Sequence, residues 1–363
     1  MNGRALVLGR GSSGKAAAAE LRRRGFSVEF AEGFDVVVTS PGVPVKSELQ
    51  LGCEELKRRG WKLLAVTGSK GKSSVVKVVA DAINLAGGRA VPCGNYGRPV
   101  CDLVGEEPGW AVVEVSSFQL ETTQLAAGTF EAAALLNVQE DHLDRHGDVS
   151  VYHSLKRRLS TMSKAFFDCA PDSEGCESLI AGSYFDNPVL RANGAHAVAL
   201  MRAAGLGDAQ IRRAFESFEP LPHRFQLVCE SGGVRFVDDS KATSIAALVA
   251  GVAMCKGSPA RLIAGGLLKG DDPKNAVPIL TEWVKKVYLI GQGAETLFAA
   301  WKDAADCEVC GTLDRAVECA RRDAASGETV LLSPGAASFD QFENFGERGD
   351  SFAELAKKEG QQK

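Results

Sequence analysis

The sequence predicts an α/β fold with largely parallel sheets, and three observations predict it. Apolar runs of strand length alternate with helical patterns from one end of the chain to the other. A glycine-rich turn, Gly9-Arg10-Gly11-Ser12-Ser13-Gly14, follows the first apolar run and opens a helical stretch. Further along, Gly68-Ser69-Lys70-Gly71-Lys72-Ser73-Ser74 does the same after a second apolar run.

Composition sets the frame. The chain has 363 residues, enough for two or three domains, and its 45% hydrophobic and 24% charged content is ordinary for a globular protein. A formal net charge of −4 gives no reason to expect nucleic acid or an acidic membrane as partner. Ten cysteines are scattered, with one Cys-x-x-Cys at Cys307 and Cys310 and no second pair at zinc-site distance. The expectation is a reduced, cytoplasmic protein without leader or membrane span, since no run nears the ~20 apolar residues that crossing a bilayer takes.

The elements follow in order. Ala5 to Leu8 reads as a strand and Lys15 to Arg24 as the helix after the first glycine turn. Ser27 to Phe30 and Val36 to Ser40 read as two further strands with no room for a crossover helix between them. Glu32 or Asp35 could serve as the ribose acid of a dinucleotide site, or the turn could hold the phosphates of a nucleotide sugar. A second domain opens near Trp61, with Trp61 to Val66 as a strand and an apolar-periodic helix through Val75, Val76, Val79 and Ile83. It continues through strands at Ala111 to Val115 and Ala132 to Asn137, an irregular polar region from Asp168 to Asn187, and a closing helix from Gly194 to Ala204. Glu219-Pro220-Leu221-Pro222 reads as a linker. The third unit carries strands at Val234 to Val237, Arg261 to Ala264, Lys286 to Ile290 and Thr329 to Leu332. The expected boundaries are 1–60, 61–221 and 222–363.

The turn at Gly68 carries the strongest chemistry. A strand, a glycine loop, Lys-Ser and a helix N-terminus point backbone N–H groups at an anion. Lys72 would bridge the β- and γ-phosphates of a nucleotide and Ser73 would hold Mg²⁺, with Gly68, Gly71 and Ser74 completing the loop. The loop is shorter than the common phosphate loop, because only Ser69 and Lys70 separate the two glycines.

Other constellations sit at strand ends. Glu114 ends a hydrophobic strand, where a carboxylate is placed either to coordinate Mg²⁺ or simply to face solvent. His142 lies in Asn137-Val-Gln-Glu-Asp-His-Leu-Asp-Arg145, which reads as a metal site or a polar turn. Lys156, taken alone, reads as a surface lysine. Arg224 follows the linker, where it could swing over a triphosphate. Asp239, Lys241 and Thr243 crowd one strand end, and Ser338 lies in a small-residue segment, Ser333 to Ser338, after another. The stretch Phe339 to Arg348 reads as helical.

In this order the motifs resemble the Mur ligase family over nearly the whole chain. The segments that carry the likeness are Leu-Glu-Thr-Thr after Ser116-Ser117-Phe118-Gln119, Leu-Pro-His-Arg-Phe at 221–225, Asp-Ser-Lys-Ala-Thr at 239–243, and Leu-Leu-Ser-Pro-Gly-Ala-Ala-Ser-Phe-Asp-Gln-Phe at 331–342. The resemblance implies a small Rossmann-like N-terminal domain, a central ATP-binding domain and a Rossmann-like C-terminal domain. It implies ATP, two Mg²⁺ ions and, as small-molecule substrates, UDP-N-acetylmuramoyl-L-alanine and D-glutamate. The protein would be a cytoplasmic monomer serving peptidoglycan synthesis, with no membrane insertion. ATP would phosphorylate the carboxylate of the nucleotide-linked substrate, and the amine of D-glutamate would attack the acyl phosphate.

Position by position, the resemblance assigns Lys72 and Ser73 to the phosphates and first ion, Glu114 and His142 to the ions, and Lys156 to a lysine carbamylated into an oxygen ligand. Asn193, Arg224 and Asp239 match nucleotide contacts. Asn95, Ser117 and Gln119 lie on the substrate side. Lys241, Thr243, Lys269, Ser338 and Phe345 match positions around the phosphates and D-glutamate. Gly11, Ser12, Ser13, Ser40, Pro41 and Gly42 match the uridine-diphosphate site. The chain departs from the pattern in a shortened N-terminal domain, in a shortened stretch between Lys156 and Asn193, and at Lys70, Leu190 and Ser244. A folate polyglutamate synthase, a ligase for another carrier, a lone phosphate-loop ATPase and a catalytically silent binding protein are the competing readings.

Overall fold

A computed structural model of the chain describes residues 3–33, 45–138, 145, 148–168, 175–255 and 257–358. The expected strand at Val36 to Ser40, and with it Ser40, Pro41 and Gly42, lies outside these residues, as does His142. The chain divides into two compact units, 1–186 with 190–218, and 187–189 with 219–363.

The first unit begins with β1 (Arg4–Leu8), α1 (Ser12–Arg23) and β2 (Ser27–Ala31), whose strands pair in parallel as a two-stranded sheet. α2 (Glu48–Arg58) packs on α1, with Ala16, Ala17, Leu51 and Cys101 as a small core. The larger body is built from β3 (Lys62–Thr67), α3 (Lys72–Leu85), β4 (Ala90–Gly94), β5 (Trp110–Glu114), α4 (Ser117–Thr122) and β6 (Phe130–Leu135). After these come α5 (Val149–Arg157), β7 (Ser163–Phe167), the single turn α6 (Glu177–Ile180), α7 (Arg191–Ala203) and α8 (Asp208–Glu216).

The larger sheet has the order β4-β5-β3-β6-β7, and every pair is parallel. Its central strands are apolar on both faces, as a sheet covered by helices on both sides requires. Leu63, Leu64, Ala65 and Val66 are fully buried. The closing helix differs from expectation. It starts at Arg191, three residues early, and α8 follows it, its Ile211, Ala214 and Phe215 buried at amphipathic spacing. Part of the stretch read as irregular is ordered too, because Tyr184 and Phe185 join Phe215 and Phe218 in an aromatic cluster.

The second unit holds β8 (Gln226–Ser231), β9 (Val234–Asp238), α9 (Ile245–Met254), β10 (Ala260–Gly265), α10 (Val277–Trp283), β11 (Val284–Ile290) and α11 (Ala294–Trp301). β12 (Asp306–Gly311), α12 (Leu313–Asp323), β13 (Thr329–Leu332) and α13 (Phe345–Lys357) complete it. Its six strands run β12-β11-β10-β13-β9-β8, parallel except for β8. β8 joins β9 through Gly232 and Gly233, whose positive φ angles of 59° and 75° suit a tight hairpin.

The helix expected from Phe339 to Arg348 starts six residues late, at Phe345. The backbone turns instead, with the Ser338 carbonyl accepting from the amides of Gln341 and Phe342. Asp340 accepts from the Gln292 amide through its carboxylate, tying the turn to the segment after β11. The helix begins only at Phe345, where Asn344 caps it by accepting from the Glu347 amide at 3.0 Å.

Candidate active site

Strand order builds the candidate site of the first unit. The loop after β3 leaves the C-terminal edge of its sheet between β5 and β6, so the ends of both neighbours flank it. Register places Glu114 beside Val66 and Leu135 beside Thr67. Residues far apart in sequence therefore meet at Gly68.

The loop is braced from three directions. Asn137, just past β6, accepts from the Lys70 amide at 2.9 Å and donates to its carbonyl at 3.0 Å. Asn193, on α7, lies so close to Gly71 that a Cβ there would stand 2.1 Å from its Nδ2. Gly71 also has φ of 85°, a conformation that favours glycine. Tyr152, on α5, accepts from the Ser69 hydroxyl at 3.3 Å.

Two lysines converge on the loop. Lys72 Nζ donates to the carbonyls of Gly68 at 2.9 Å and Ser69 at 3.1 Å. Lys156 Nζ donates to Gly68 at 3.0 Å and lies 4.3 Å from the Tyr152 ring centroid. The reading of Lys156 as a surface lysine, drawn from its neighbours Arg157 and Arg158, is corrected: it is 1% exposed. α5 turns Tyr152 and Lys156 inward while Arg157 stays outside, and the half-buried Arg158 donates to the carbonyls of Leu120 and Thr123.

Glu114 is the candidate metal ligand. It is buried, and its two oxygens accept from neutral donors, Ser73 Oγ at 2.7 Å and Asn95 Nδ2 at 2.7 Å. A buried carboxylate held by neutral groups favours a cation beside it. Hydroxyl and carboxylate oxygens are the donors a hard divalent ion takes, so the residues present fit Mg²⁺. Ser117 is buried at the start of α4, and Gln119 closes that helix's capping box, its Oε1 accepting from the Ser116 amide at 2.9 Å. Gly11 is the N-cap of α1, and Ser12 and Ser13 form its first turn.

The second unit gathers its expected residues at the C-terminal edge of its own sheet. β9, β13 and β10 are adjacent, and Leu332 pairs with Asp238 and Ile263. The segments after these strands, 239–243, 333–338 and 266–269, therefore emerge side by side. Lys269 Nζ donates to Thr243 Oγ1 at 3.4 Å. Lys241 Nζ stands 4.0 Å over the Phe345 ring. Ser338 is buried, and Arg224 forms a turn with its amide on the Leu221 carbonyl. Asp239 accepts from the Phe225 amide at 3.1 Å and the Ser333 hydroxyl at 2.9 Å. It keeps an edge to solvent, yet the depth of its carboxyl pushes its pKa up to about 7.

Several supporting residues were not foreseen. Arg348, 1% exposed, donates to Ser240 Oγ and O at 3.0 and 2.9 Å and to the Ala336 carbonyl at 3.2 Å, tying two of these segments to α13. Burial lowers its pKa to about 10. His223 Nδ1 contacts Asp238 Oδ2 at 2.7 Å. Asn137 and Tyr152 carried a faint signal, an Asn at a strand end and a Tyr one helical turn before Lys156. Arg348 carried none.

Fold and loop geometry define a parallel α/β protein with a phosphate loop at a strand end, and comparison with known proteins specifies it. The Mur ligase middle domain matches residues 66–169, and the Mur ligase glutamate ligase domain matches residues 223–335. A UDP-N-acetylmuramoylalanine–D-glutamate ligase of Nitratidesulfovibrio vulgaris is 36% identical over 355 residues, covering 87% of this chain and 80% of the relative. One of Acidobacterium capsulatum is 32% identical, covering 96% and 95%. Its alignment runs over 444 positions against 363 residues here, so the relative carries segments this chain lacks. The crystal structure of MurF ligase from Thermotoga maritima in complex with ADP superposes with a TM-score of 0.61 at 16% identity, covering 98% of this chain and 94% of that one. The chain belongs to the Mur ligase family.

Proposed function

We propose that this chain is an ATP-dependent amide ligase that joins D-glutamate to UDP-N-acetylmuramoyl-L-alanine, in cytoplasmic peptidoglycan precursor synthesis. The observation that carries the reading is the convergence at the end of β3, where a phosphate loop, two lysines and the Ser73–Glu114 pair share one small volume. The named relatives carry the substrate assignment.

The chemistry follows from the leaving group. A carboxylate would have to expel oxide to form an amide, and transfer of the γ-phosphoryl group replaces oxide with phosphate. The amine of D-glutamate then attacks the acyl carbon, the C–N bond forms, the C–O bond to phosphate breaks, and the amine loses a proton. Two anions meet in the first step, so cationic groups must offset their repulsion. In this reading Lys72 leaves the carbonyls of Gly68 and Ser69 for the β- and γ-phosphates, while the amides of the loop and of α3 hold their oxygens. Bound Mg²⁺ would supply further charge neutralisation of the phosphates. Ser73 and Glu114 would hold the first ion, with His142 and a carbamylated Lys156 at the second. Asn193, Arg224 and Asp239 serve the nucleotide in this assignment. Lys241, Thr243, Lys269, Ser338 and Phe345 serve D-glutamate and the transferred phosphate. Asn95, Ser117 and Gln119 lie on the substrate side, and Gly11, Ser12, Ser13, Ser40, Pro41 and Gly42 take the uridine diphosphate. The division into pieces 1–60, 61–221 and 222–363, and a monomeric state, belong to the same proposal.

The test is phosphate release with ATP, Mg²⁺ and UDP-N-acetylmuramoyl-L-alanine, comparing D-glutamate, L-glutamate and no amino acid. Release only with D-glutamate is expected. Release that ignores the amino acid, or none with any of them, would overturn the assignment.

A further inference from the structure

Two thiols and a carboxylate meet in the outer layer of the second unit, at the edge strand β12, two strands from β10. The Cys-x-x-Cys of the sequence is not the pair. Cys307 packs on the face of the sheet that carries Leu262, Val287 and Leu289. Cys310 packs on the opposite face, with Ile263, Tyr288 and Ile290. The register of β12 against β11 slips at this point, Leu289 facing Val309 and Ile290 facing Gly311, so Cys310 is the extra residue of a bulge. Bulges re-aim side chains. α12 lies on the same face and brings in Cys319, which is fully buried.

Cys319 Sγ donates to Glu308 Oε1 at 3.3 Å. The ligand atoms of Glu308, Cys310 and Cys319 all lie within 4.8 Å of one another, and among the described residues no other such group of three occurs. The second carboxylate oxygen of Glu308 is held by Lys286 Nζ at 2.8 Å, with Arg322 at 3.9 Å. Oε1 is thereby presented to the sulfurs.

We propose that Glu308, Cys310 and Cys319 form a binding site for a thiophilic divalent cation, zinc foremost, that clamps the edge strand β12 to α12. Zinc takes thiolate and carboxylate ligands in a tetrahedron whose ligand atoms stand roughly 3.5–3.8 Å apart, with water completing a three-residue site. The cluster needs to contract only slightly. Binding forms two metal–sulfur bonds and one metal–oxygen bond and releases both thiol protons to solvent. Two thiolates, one carboxylate and a dication leave one net negative charge, facing Lys286 and Arg322. Those outer groups orient the carboxylate as second partners of metal ligands commonly do. Magnesium, which prefers oxygen, is a poor match here, so this site is chemically separate from Ser73 and Glu114.

The experiment uses the full chain, reduced and stripped with a chelator, titrated with Co²⁺ and then Zn²⁺ against a competing chromophoric chelator. One equivalent of Co²⁺ is expected to give a thiolate-to-cobalt charge-transfer band that Zn²⁺ abolishes. Zn²⁺ is also expected to raise Tm, since an ion bound only by the folded state stabilises it. Cys310→Ser and Cys319→Ser should each weaken binding by more than the roughly 10–100-fold that loss of a ligand's outer partner costs, and Glu308→Gln by less than either, while Cys307→Ser changes nothing. Cys310 is half-exposed, so its variant remains informative if the buried Cys319 variant fails to fold. Absence of the band in the reduced protein, its survival in Cys310→Ser, or its loss in Cys307→Ser would overturn the proposal. So would closure of a Cys310–Cys319 disulfide at the same rate with and without one equivalent of zinc.

Discussion

The side-chain nitrogens of Lys72 and Lys156 donate to the same acceptor, the carbonyl oxygen of Gly68, at 2.9 and 3.0 Å. One lysine arrives from the loop's own helix and the other from α5. Replacing either with alanine should lower turnover by about 10² to 10³, the usual cost of one preorganised charged donor. Only the Lys156→Ala defect should be partly rescued by short-chain carboxylic acids, because only that residue is proposed to work as a carbamate. Phosphate-release assays with and without added acid check this. Full activity of Lys156→Ala would remove its assigned role.

Glu114 lies between Ser73 and Asn95 and is the buried anion of the loop. Glu114→Gln keeps the shape and removes the charge. Turnover should fall by about 100-fold or more with higher Mg²⁺ demand, while Tm moves little, since a neutral amide is cheaper to bury than a carboxylate. A Mg²⁺ titration of activity together with thermal unfolding separates the two effects.

Gly71→Ala should damage nucleotide binding through backbone geometry. Its φ of 85° disfavours any other residue, and the new methyl meets Asn193 Nδ2. The conformational cost alone is about 1 kcal/mol. Calorimetric titration with ADP is expected to show weakened binding. Asn193→Ala combined with Gly71→Ala should restore part of the fold stability and none of the affinity.

Asp239 predicts a pH dependence of unusual sign. Its folded pKa, about 7, lies above the ordinary aspartate value. The folded state therefore binds this proton more tightly than the unfolded state, and stability falls as pH rises from about 4 to about 7. Asp239→Asn should flatten that decline by about 1–3 kcal/mol. Denaturant unfolding at intervals across the range, compared between the two proteins, reads the difference. Parallel curves would show that the carboxyl is not the cause.

Glu55 works in the opposite direction. Arg58 holds it at 2.9 Å, with Arg59 at 2.7 Å and Arg24 adding charge, and its pKa is pulled down to about 2. Its contribution is complete above the ordinary glutamate value and is lost as pH falls toward about 2. Glu55→Gln should cost about 1–3 kcal/mol at neutral pH, with the gap to wild type narrowing as pH falls.

The central sheet was legible because β3, β5 and β6 are short apolar runs, each ended by a small or polar residue. β4 was not, since Pro92 interrupts it and only an edge position tolerates that. β12 was hidden for a related reason: Asp306, Glu308 and Gly311 dilute its pattern, and it too is an edge. Chemistry at strand ends could be read residue by residue, as Lys72, Ser73 and Glu114 illustrate. The inward turn of Lys156 depends on packing of α5 and was reached through family resemblance alone. The bracing by Asn137 and Arg348 depends on strand order, which no local pattern encodes. Ser40, Pro41, Gly42 and His142 lie outside the described residues.

Arg348 has a consequence for the order in which the protein comes into being. It projects from α13, the last helix among the described residues, yet it secures Ser240 and Ala336, which leave the ribosome earlier. The first unit includes nothing beyond Phe218, so the nascent chain can complete its phosphate loop while the rest is still being translated. The segments after β9 and β13 stay unfastened until α13 docks. A chain that stops short of this helix leaves both segments without that fastening.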